Sequence, residues 1–321
     1  MRSRSLVLAL VAATTLACGS TPAARPTPGR PSAAAPLGEE GRGTLFIVGG
    51  GPQPAALVER FVELAGGPGR ARIVVFAMAS EEARASGDEK AQDLRALGAD
   101  AVNLLITREE ADRDSVARLL DGATGVWFGG GDQALLTAAL RGTKVEAAIH
   151  ARYRAGAVVG GTSAGAAVMS TPMITGDERR PGGDRPPADS SAAFMTIARD
   201  NVVTADGFGL FEGAIVDQHF VRRRRHNRLL SLVLERPPHL GVGIDESTAL
   251  VVGPDGRWTV LGASVAVVYD ARRSARAGAI TSAAAPVLGA TGVVLHVLPA
   301  GSTFDPATGS ATLPPARSAD R

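Results

Sequence analysis

The sequence is poor in two features that would restrict its class at once: cysteine and net charge. Cys18 is the single cysteine among 321 residues, so no disulfide can form within the chain and stability has to come from packing. The formal charge of +2 includes Arg2 and Arg4, and the chain without them is close to neutral. This balance gives no global indication of nucleic-acid binding.

The apolar run at the amino terminus is too short to span a bilayer. Leu6 to Ala17 amount to about a dozen residues behind Arg2 and Arg4, whereas a spanning helix needs about 20. This layout predicts a signal peptide of the lipoprotein type over residues 1–17. Thr15-Leu-Ala-Cys18 resembles a bacterial lipobox, which predicts lipidation of Cys18 and an exported protein, either anchored to the envelope membrane or secreted. The alternative is cleavage nearby with no lipid attached.

Composition divides the remainder into a tether, a domain and a tail. Residues 18–42 are rich in Pro and Ala and have no periodic apolar face, so we expect a tether. Residues 43–305 are long enough for one large domain with a sizeable core. We expect the tail at 306–321 to be disordered.

The domain begins with alternating strand and helix patterns. Buried apolar runs predict five strands, and amphipathic segments between them predict helices. This alternation indicates an α/β fold with a doubly wound, mostly parallel sheet flanked by helices. Three short apolar segments near the carboxyl terminus favour an antiparallel extension of the sheet. The five strands are predicted at Thr44–Val48, Arg72–Met78, Ala101–Ile106, Gly125–Phe128 and Ala157–Val159.

Ser163 lies at the junction between the fifth strand and a small-residue helix. Gly161, Ser163 and Gly165 match the G-x-S-x-G pattern, in which the glycines permit a strained turn that exposes the serine hydroxyl. The pattern predicts a nucleophile elbow, with the Ala164 N–H as the nearest donor to an oxyanion. The alternative is a glycine-rich turn with a capping serine.

A second glycine loop, Gly129-Gly-Gly-Asp-Gln133, follows the fourth strand. In open α/β sheets the ligand crevice lies at the carboxyl ends of the strands, where both loops fall. An N–H of Gly130 or Gly131 is the candidate second oxyanion donor. The alternative is an ordinary turn capped by Asp132.

His219 is the first candidate for a general base, because it follows an apolar strand and histidine titrates near working pH. His226 is the second candidate. Five arginines lie between Arg222 and Arg228. Such a run is often a solvated face, but Arg225 and Arg228 share a helical face and are suited to clamp a carboxylate.

Two adjacent acids, Asp245 and Glu246, follow another apolar strand. A carboxylate leaving a buried strand needs a partner, and either one could orient His219. Spacing does not choose between them. Between Thr175 and Asp206, a Pro- and Gly-rich stretch predicts a long surface excursion beside the site, since its segment from Gly176 to Pro187 holds neither helix nor strand patterns.

Four motifs in this sequence resemble those of the cyanophycinases, within the serine peptidases that include dipeptidase E. The resemblance extends from about Gly43 to Phe304. It implies a fold like that of class I glutamine amidotransferases and flavodoxin. The motifs are Gly129-Gly-Gly-Asp-Gln133, Gly160-Gly-Thr-Ser-Ala-Gly-Ala166, Asp217-Gln-His-Phe220 with its trailing arginines, and Gly243-Ile-Asp-Glu246.

The resemblance also implies the chemistry. Ser163 would be the nucleophile, His219 the base and Glu246 the acid, with Gly131 and Ala164 forming the oxyanion hole. The implied substrate is cyanophycin, a polyaspartate with arginine amide-linked to each side chain, which is hydrolysed to β-Asp-Arg dipeptides. The residues implied to contact it are Gln133, Asp217, Gln218, Arg223, Arg225 and Arg228.

This interpretation needs no metal and no cofactor. An ordinary α/β-hydrolase places its histidine after the acid, and His296 is the candidate for that arrangement. Two other functions stay open. One is a related peptidase acting on short aspartyl or isoaspartyl peptides, and the other is a lipoprotein that binds peptides without cleaving them. A homodimer stays open as the assembly.

Overall fold

The computed structural model describes residues 42–179, 194–282 and 285–315. The predicted signal peptide, Cys18 and nearly all of the predicted tether lie outside the described residues. So do residues 180–193 of the predicted excursion and residues 316–321 of the predicted tail. In the part of the chain that is described, no helix has both the length and the apolar character needed to cross a membrane.

Five parallel strands form one side of the larger sheet, in the spatial order β3-β2-β4-β5-β1. The apolar runs of the four inner strands are buried on both faces, as strands covered on two sides require, whereas β3 lies at the edge and exposes Val102. The predicted strands are therefore present, with ends that differ by a few residues. They are β1 (Thr44–Val48), β2 (Arg72–Phe76), β3 (Asp100–Asn103), β4 (Gly125–Phe128) and β5 (Val158–Thr162).

Helices connect these strands and cover the sheet. Between β3 and β4, where the pattern of Glu109–Leu120 favours a single helix, the chain forms two short helices and a 3-10 turn. Asp112 and Asp114 interrupt it, because aspartate favours helix ends over helix interiors. The helices are α1 (Ala55–Leu64), α2 (Ala83–Ala96), α3 (Arg108–Ala111), α4 (Asp114–Ala117), the turn Arg118–Leu120, α5 (Gln133–Leu140), α6 (Lys144–Arg154), α7 (Ala164–Ala167) and α8 (His226–Glu235).

The two faces of the larger sheet have separate cores. On one face, Phe46 and Trp127 pack around Phe61 of α1, with ring centroids 5.7 and 4.9 Å away. On the other face, Phe128 packs against Phe76 and Phe208, at 6.0 and 5.1 Å. Covering helices and loops therefore bury both sides of the parallel strands, as the doubly wound arrangement predicts.

Antiparallel strands extend the larger sheet beyond β1, as predicted. Trp258 in β11 and Phe304 in β16 pack with their ring centroids 5.0 Å apart, and both are almost fully buried. The expectation of disorder from residue 306 is wrong for 306–315, because Ser310–Thr312 pairs with β16. The added strands are β10 (Thr248–Val252), β11 (Trp258–Gly262), β16 (Thr303–Asp305) and β17 (Ser310–Thr312).

Four other strands form a second sheet in the order β15-β12-β9-β8. Two of the three carboxyl-terminal segments that were predicted to extend the larger sheet, observed as β12 and β15, belong to this second sheet instead. Its strands are β8 (Ala214–Asp217), β9 (Leu240–Ile244), β12 (Val265–Asp270) and β15 (Val294–Pro299). Two hairpins complete the fold: β6 (Met173–Glu178) with β7 (Val202–Ala205), and β13 (Ala275–Ser282) with β14 (Ala285–Thr291).

The β6–β7 hairpin corrects the prediction that the segment from Gly176 to Pro187 contains no strand. Gly176 to Glu178 continue β6, with an irregular register between Ile174 and Glu178. Gly176 has φ +105, a conformation that glycine tolerates at such a bulge. The Thr175 hydroxyl donates to Val203 O at 3.0 Å, so the two ends of the excursion are hydrogen-bonded to each other.

Candidate active site

Ser163 lies in a strained turn between β5 and α7. Its φ and ψ are 54° and −112°, outside the regions that residues with a Cβ prefer. The flanking glycines are required by the packing. A Cβ on Gly161 would lie 2.5 Å from Gly165 O, and one on Gly165 would lie 2.2 Å from Phe128 O. The geometry is therefore that of a nucleophile elbow.

His219 is the second residue after the end of β8, and its side chain reaches the serine. Its Nε2 lies 2.9 Å from Ser163 Oγ, and its Nδ1 lies 2.6 Å from Glu246 Oε1. A carboxylate can only accept, so Nδ1 carries the proton and Nε2 is free to accept from the hydroxyl. The three side chains thus form a relay in which Ser163 can lose its proton to His219.

The sequence does not decide whether Asp245 or Glu246 orients His219, and the structure assigns this contact to Glu246. Glu246 contacts His219, whereas Asp245 accepts hydrogen bonds from Arg222 N at 2.9 Å and Ser264 Oγ at 2.8 Å. These bonds outweigh the effect of burial and hold the pKa of Asp245 below its usual value. Asp245 therefore supports the backbone after His219 and does not orient the imidazole.

Burial lowers the pKa of His219 below its usual 6.5. The hydrogen bond from His219 to Glu246 opposes the decrease, while the positive charges of Arg223 and Arg225 add to it. The imidazole is consequently neutral at neutral pH. Only the neutral form can accept a proton, so the shift favours the general-base role.

The candidate oxyanion donors lie around the serine. A Cβ on Gly130 would be 3.5 Å from Ser163 Cβ, so the loop after β4 passes beside the hydroxyl. Gly131 has φ +133, and a Cβ there would be 1.9 Å from Ala79 O, which makes glycine necessary. Ala164 is the first residue of α7, whose opening amides have no partner within the helix.

Gln133 is buried, and its side chain is used to hold a neighbouring strand. Its Nε2 donates to Ile174 O at 2.9 Å and also to Thr175 O. Gln133 is predicted to contact substrate, but its amide nitrogen is already hydrogen-bonded to these two carbonyls of β6. The contact fixes the start of the excursion to the amino-terminal end of α5.

Asp217 and Arg228 bind each other, which corrects their predicted roles as substrate contacts. Arg228 Nε donates to Asp217 Oδ2 at 2.7 Å, and Arg228 Nη2 donates to Oδ1. Both residues are at most 3% exposed. The Arg228 guanidinium also lies 5.5 Å from the centroid of the Phe194 ring. Neither charge is available to a ligand, because the bidentate pair uses the carboxylate and one edge of the guanidinium.

Arg225 lies between this pair and the site. Its Nη1 donates to Gln218 O and Gln218 Oε1, both at 2.8 Å, and lies 3.7 Å from Asp217 Oδ1. Burial lowers the pKa of Arg225 to about 10, and the charge of Arg228 contributes. Arg223 differs, because it is exposed and acts on His219 through its charge. Of the three arginines predicted to bind substrate, Arg223 and Arg225 therefore lie close enough to affect His219, whereas Arg228 is paired with Asp217.

The other histidines have positions that fit structural roles. His226 Nδ1 lies 2.8 Å from the Tyr269 hydroxyl, and its ring packs on Phe220 with centroids 4.6 Å apart. His296 packs on Phe304 at 5.0 Å and belongs to β15. The hydrogen bond to Ser163 is therefore made by His219, and the order of the three residues along the chain is Ser, His, Glu.

The glycine loop, Gly49 to Pro52, follows β1 and contacts two of the three side chains, a role that its sequence does not indicate. A Cβ on Gly50 would lie 2.4 Å from His219 Nε2, and one on Gly51 would lie 2.8 Å from Glu246 Cβ. The signal was present in the sequence as three consecutive glycines after a buried strand. Such a run permits close backbone approach without saying what approaches.

We expect the His219 imidazole to titrate below pH 6.5, and at still lower pH in Glu246→Gln. The glutamine removes the carboxylate that opposes the effect of burial. NMR of the ring nitrogens over a pH series measures both values. Glu63→Gln, an exposed position on α1, is the control and leaves the titration unchanged. An unchanged His219 pKa in Glu246→Gln would contradict the hydrogen bond between His219 and Glu246.

Asp217→Asn should destabilise the domain by about 3–5 kcal/mol, because it leaves the buried Arg228 without a counter-charge. Urea unfolding measures the difference. Asp206→Asn is the matched control: it breaks an exposed ion pair with Arg141 and should cost about 1 kcal/mol or less. If Asp217→Asn has the same free energy of unfolding as the wild type, the Asp217–Arg228 pair does not stabilise the domain.

Three comparisons place these residues in a family. The model of peptidase family S51 matches residues 45–257. The cyanophycinase of Trichormus variabilis is 34% identical over 241 residues, covering 74% of this chain and 76% of that protein. The cyanophycinase of Geminocystis herdmanii is 30% identical over 270 residues, covering 82% and 94%. These relatives confirm the resemblance that the motifs indicated.

A solved structure supports the fold. The peptidase from an acI-B1 Actinobacterium superposes with a TM-score of 0.54 at 24% identity, covering 72% of this chain and 93% of that one. The predicted α/β architecture is thereby confirmed. Since the family model spans well over half of the sequence, the chain belongs to peptidase family S51 and is a serine-type peptidase.

Proposed function

We propose that this protein is an exported exopeptidase that hydrolyses cyanophycin to β-Asp-Arg dipeptides. The observation that carries the proposal is the relay in which Ser163 Oγ lies 2.9 Å from His219 Nε2 and Glu246 lies on the other side of the ring. The substrate is supported by the relatives at 30–34% identity, which are named cyanophycinases. A protein that only binds peptides has no use for such a relay.

In the first half of the reaction, His219 Nε2 takes the hydroxyl proton of Ser163, and Oγ attacks the scissile carbonyl carbon. The carbonyl oxygen becomes an oxyanion, for which the amides of Gly131 and Ala164 are the proposed donors, with Gly130 beside them. Imidazolium then returns its proton to the leaving nitrogen as the carbon–nitrogen bond breaks. Glu246 stabilises the imidazolium while it exists.

In the second half, water hydrolyses the acyl-enzyme. His219 accepts a proton from the water, hydroxide attacks the ester carbonyl, and the proton passes to Ser163 Oγ as the ester bond breaks. The enzyme returns to its starting state. The lowered pKa of His219 ensures that the base is neutral at the start of each half.

Substrate recognition is proposed to use the positive charge that remains around His219. Asp217 makes its bidentate pair with Arg228. Arg225 donates to Gln218 and lies farther from Asp217, at 3.7 Å, and Arg223 is exposed. Each arginine of cyanophycin keeps a free carboxylate. A planar guanidinium binds a carboxylate through two parallel hydrogen bonds, which a lysine cannot reproduce.

The decisive experiment is hydrolysis of purified cyanophycin, with product masses determined by mass spectrometry. The wild type should release β-Asp-Arg, and Ser163→Ala should lower kcat by about 10⁶-fold while it keeps the fold. Release of free arginine, or turnover of isoaspartyl dipeptides with no action on the polymer, would favour the related peptidase instead. Full activity in Ser163→Ala would exclude the mechanism.

Export is the part of the proposal that depends on the sequence alone, namely on Arg2, Arg4, the apolar run and Cys18. In a bacterial host, the full-length protein should partition into a detergent phase, whereas Cys18→Ser should stay in the aqueous phase. A lipid adds about 0.8 kcal/mol for each buried methylene, so the anchor alone should separate the two proteins. Equal partitioning would show that Cys18 carries no lipid.

A further inference from the structure

Three consecutive backbone carbonyls, that of the last residue of β1 and those of the next two residues, receive hydrogen bonds from three different parts of the chain. Ser163 N donates to Val48 O at 3.1 Å, His219 N donates to Gly49 O at 2.6 Å, and Ser247 N donates to Gly50 O at 2.8 Å. Ser247 directly follows Glu246. The backbone at or next to each member of the relay is thus bonded to one short segment.

The three donors share an unusual conformation. Ser163, His219 and Ser247 have φ of 54°, 48° and 53°, in the left-handed region that disfavours residues with a Cβ. Such conformations persist only where the surroundings hold them, and they concentrate at functional sites. Here the hydrogen bonds to consecutive carbonyls are the common feature that holds all three.

The glycine loop also touches the side chains of the relay. Gly50 has φ +107 and packs so closely on the imidazole that a Cβ would lie 2.4 Å from His219 Cε1 and Nε2. Gly51 packs on Glu246, where a Cβ would lie 3.0 Å from Oε2. A displacement of the loop would therefore move the base and the acid relative to the serine.

The side chains of Ser247 and Lys90 hold the end of the loop and the residue that follows it. The Ser247 hydroxyl donates to Pro52 O at 2.7 Å, which closes a ring with the bond from Ser247 N to Gly50 O. Next to it, Lys90 Nζ donates to Gln53 Oε1 at 3.0 Å. The loop is thereby bonded at both ends, and Ser247 makes two of those bonds.

We propose that Ser247 is a positioning residue: its amide on Gly50 O and its hydroxyl on Pro52 O hold the glycine loop against the two side chains that activate the serine. Ser247 acts through the loop and does not touch the reacting atoms. Its role rests on the serine chemistry proposed above and not on the identity of the substrate.

Ser247→Ala tests this role, because it removes the hydroxyl and keeps the amide. Ser274→Ala is the matched control, since its hydroxyl donates to a backbone carbonyl, Ala271 O, at 2.8 Å away from the relay. The readout is the rate at which a fluorophosphonate labels Ser163. We expect labelling to slow by about tenfold to 100-fold in Ser247→Ala, since displacements of about 1 Å have effects of that size. The control should label at the wild-type rate.

A spectroscopic readout separates positioning from a loss of stability. The His219 Nδ1 proton, which is bonded to Glu246, should shift or broaden in Ser247→Ala and stay unchanged in Ser274→Ala. On a peptide substrate, kcat should fall while KM changes less than about twofold. Wild-type labelling with an unchanged proton signal would overturn the proposal, and so would equal losses in both variants.

Gly50→Ala provides a second, independent test of the same loop. Its Cβ would clash with the imidazole, so labelling should fall by about 100-fold or more. Gly69→Ala is the control: Gly69 also has positive φ, +74, but nothing lies within 4 Å of its Cβ position. Equal labelling of Gly50→Ala and Gly69→Ala would contradict a role for the loop in positioning His219.

These outcomes are distinguishable from a failure of the proposed function. A wild type that is not labelled at all would contradict the serine chemistry, and the Nδ1 proton signal would still show whether Ser247 orders the relay. A wild type that is labelled but does not hydrolyse cyanophycin would contradict the substrate only.

Discussion

The hydrogen bonds around strand β1 are the constraint on which the site depends. β1 pairs in parallel with β5, which leads into Ser163, and antiparallel with β10, which follows Ser247. The two ladders fix the separation of the serine and the acid before any side chain is considered. His219, which arrives from the second sheet, is joined to the same strand end by the bond from its amide to Gly49 O.

Burial then divides the charged residues around this strand end into two groups. Asp217 and Arg228 lie inside and satisfy each other, since an unpaired charge there would be expensive. Arg223 and Arg225, which are less buried than Arg228, lie nearer to solvent, where a ligand can reach them. Asp217 is two residues before His219, so the buried pair also restrains the strand that presents the base.

The adjacent acids show how backbone direction assigns chemistry. Asp245 directly follows β9, and Glu246 lies in the turn that leads into β10. Asp245 faces Ser264 and the amide of Arg222, while Glu246 faces the imidazole. One acid supports the structure and its neighbour takes part in the relay, although both leave the same strand.

The parallel α/β core, the elbow at Ser163 and the first candidate base, His219, were predictable from the sequence, because apolar runs, glycine spacing and strand ends are local signals. Four motifs in order also indicated the family.

Three features could be seen only in the folded protein. They are the division of the carboxyl-terminal strands between two sheets, the ordered strand β17 and the mutual pairing of Asp217 with Arg228. Pairing partners far apart in the chain leave no local pattern, and an arginine that binds a ligand has the same sequence signature as one that neutralises a buried aspartate. The choice of Glu246 needed either the family resemblance or the fold, and the contact of the glycine loop with His219 needed the fold, because a glycine records that something approaches closely but not what it is.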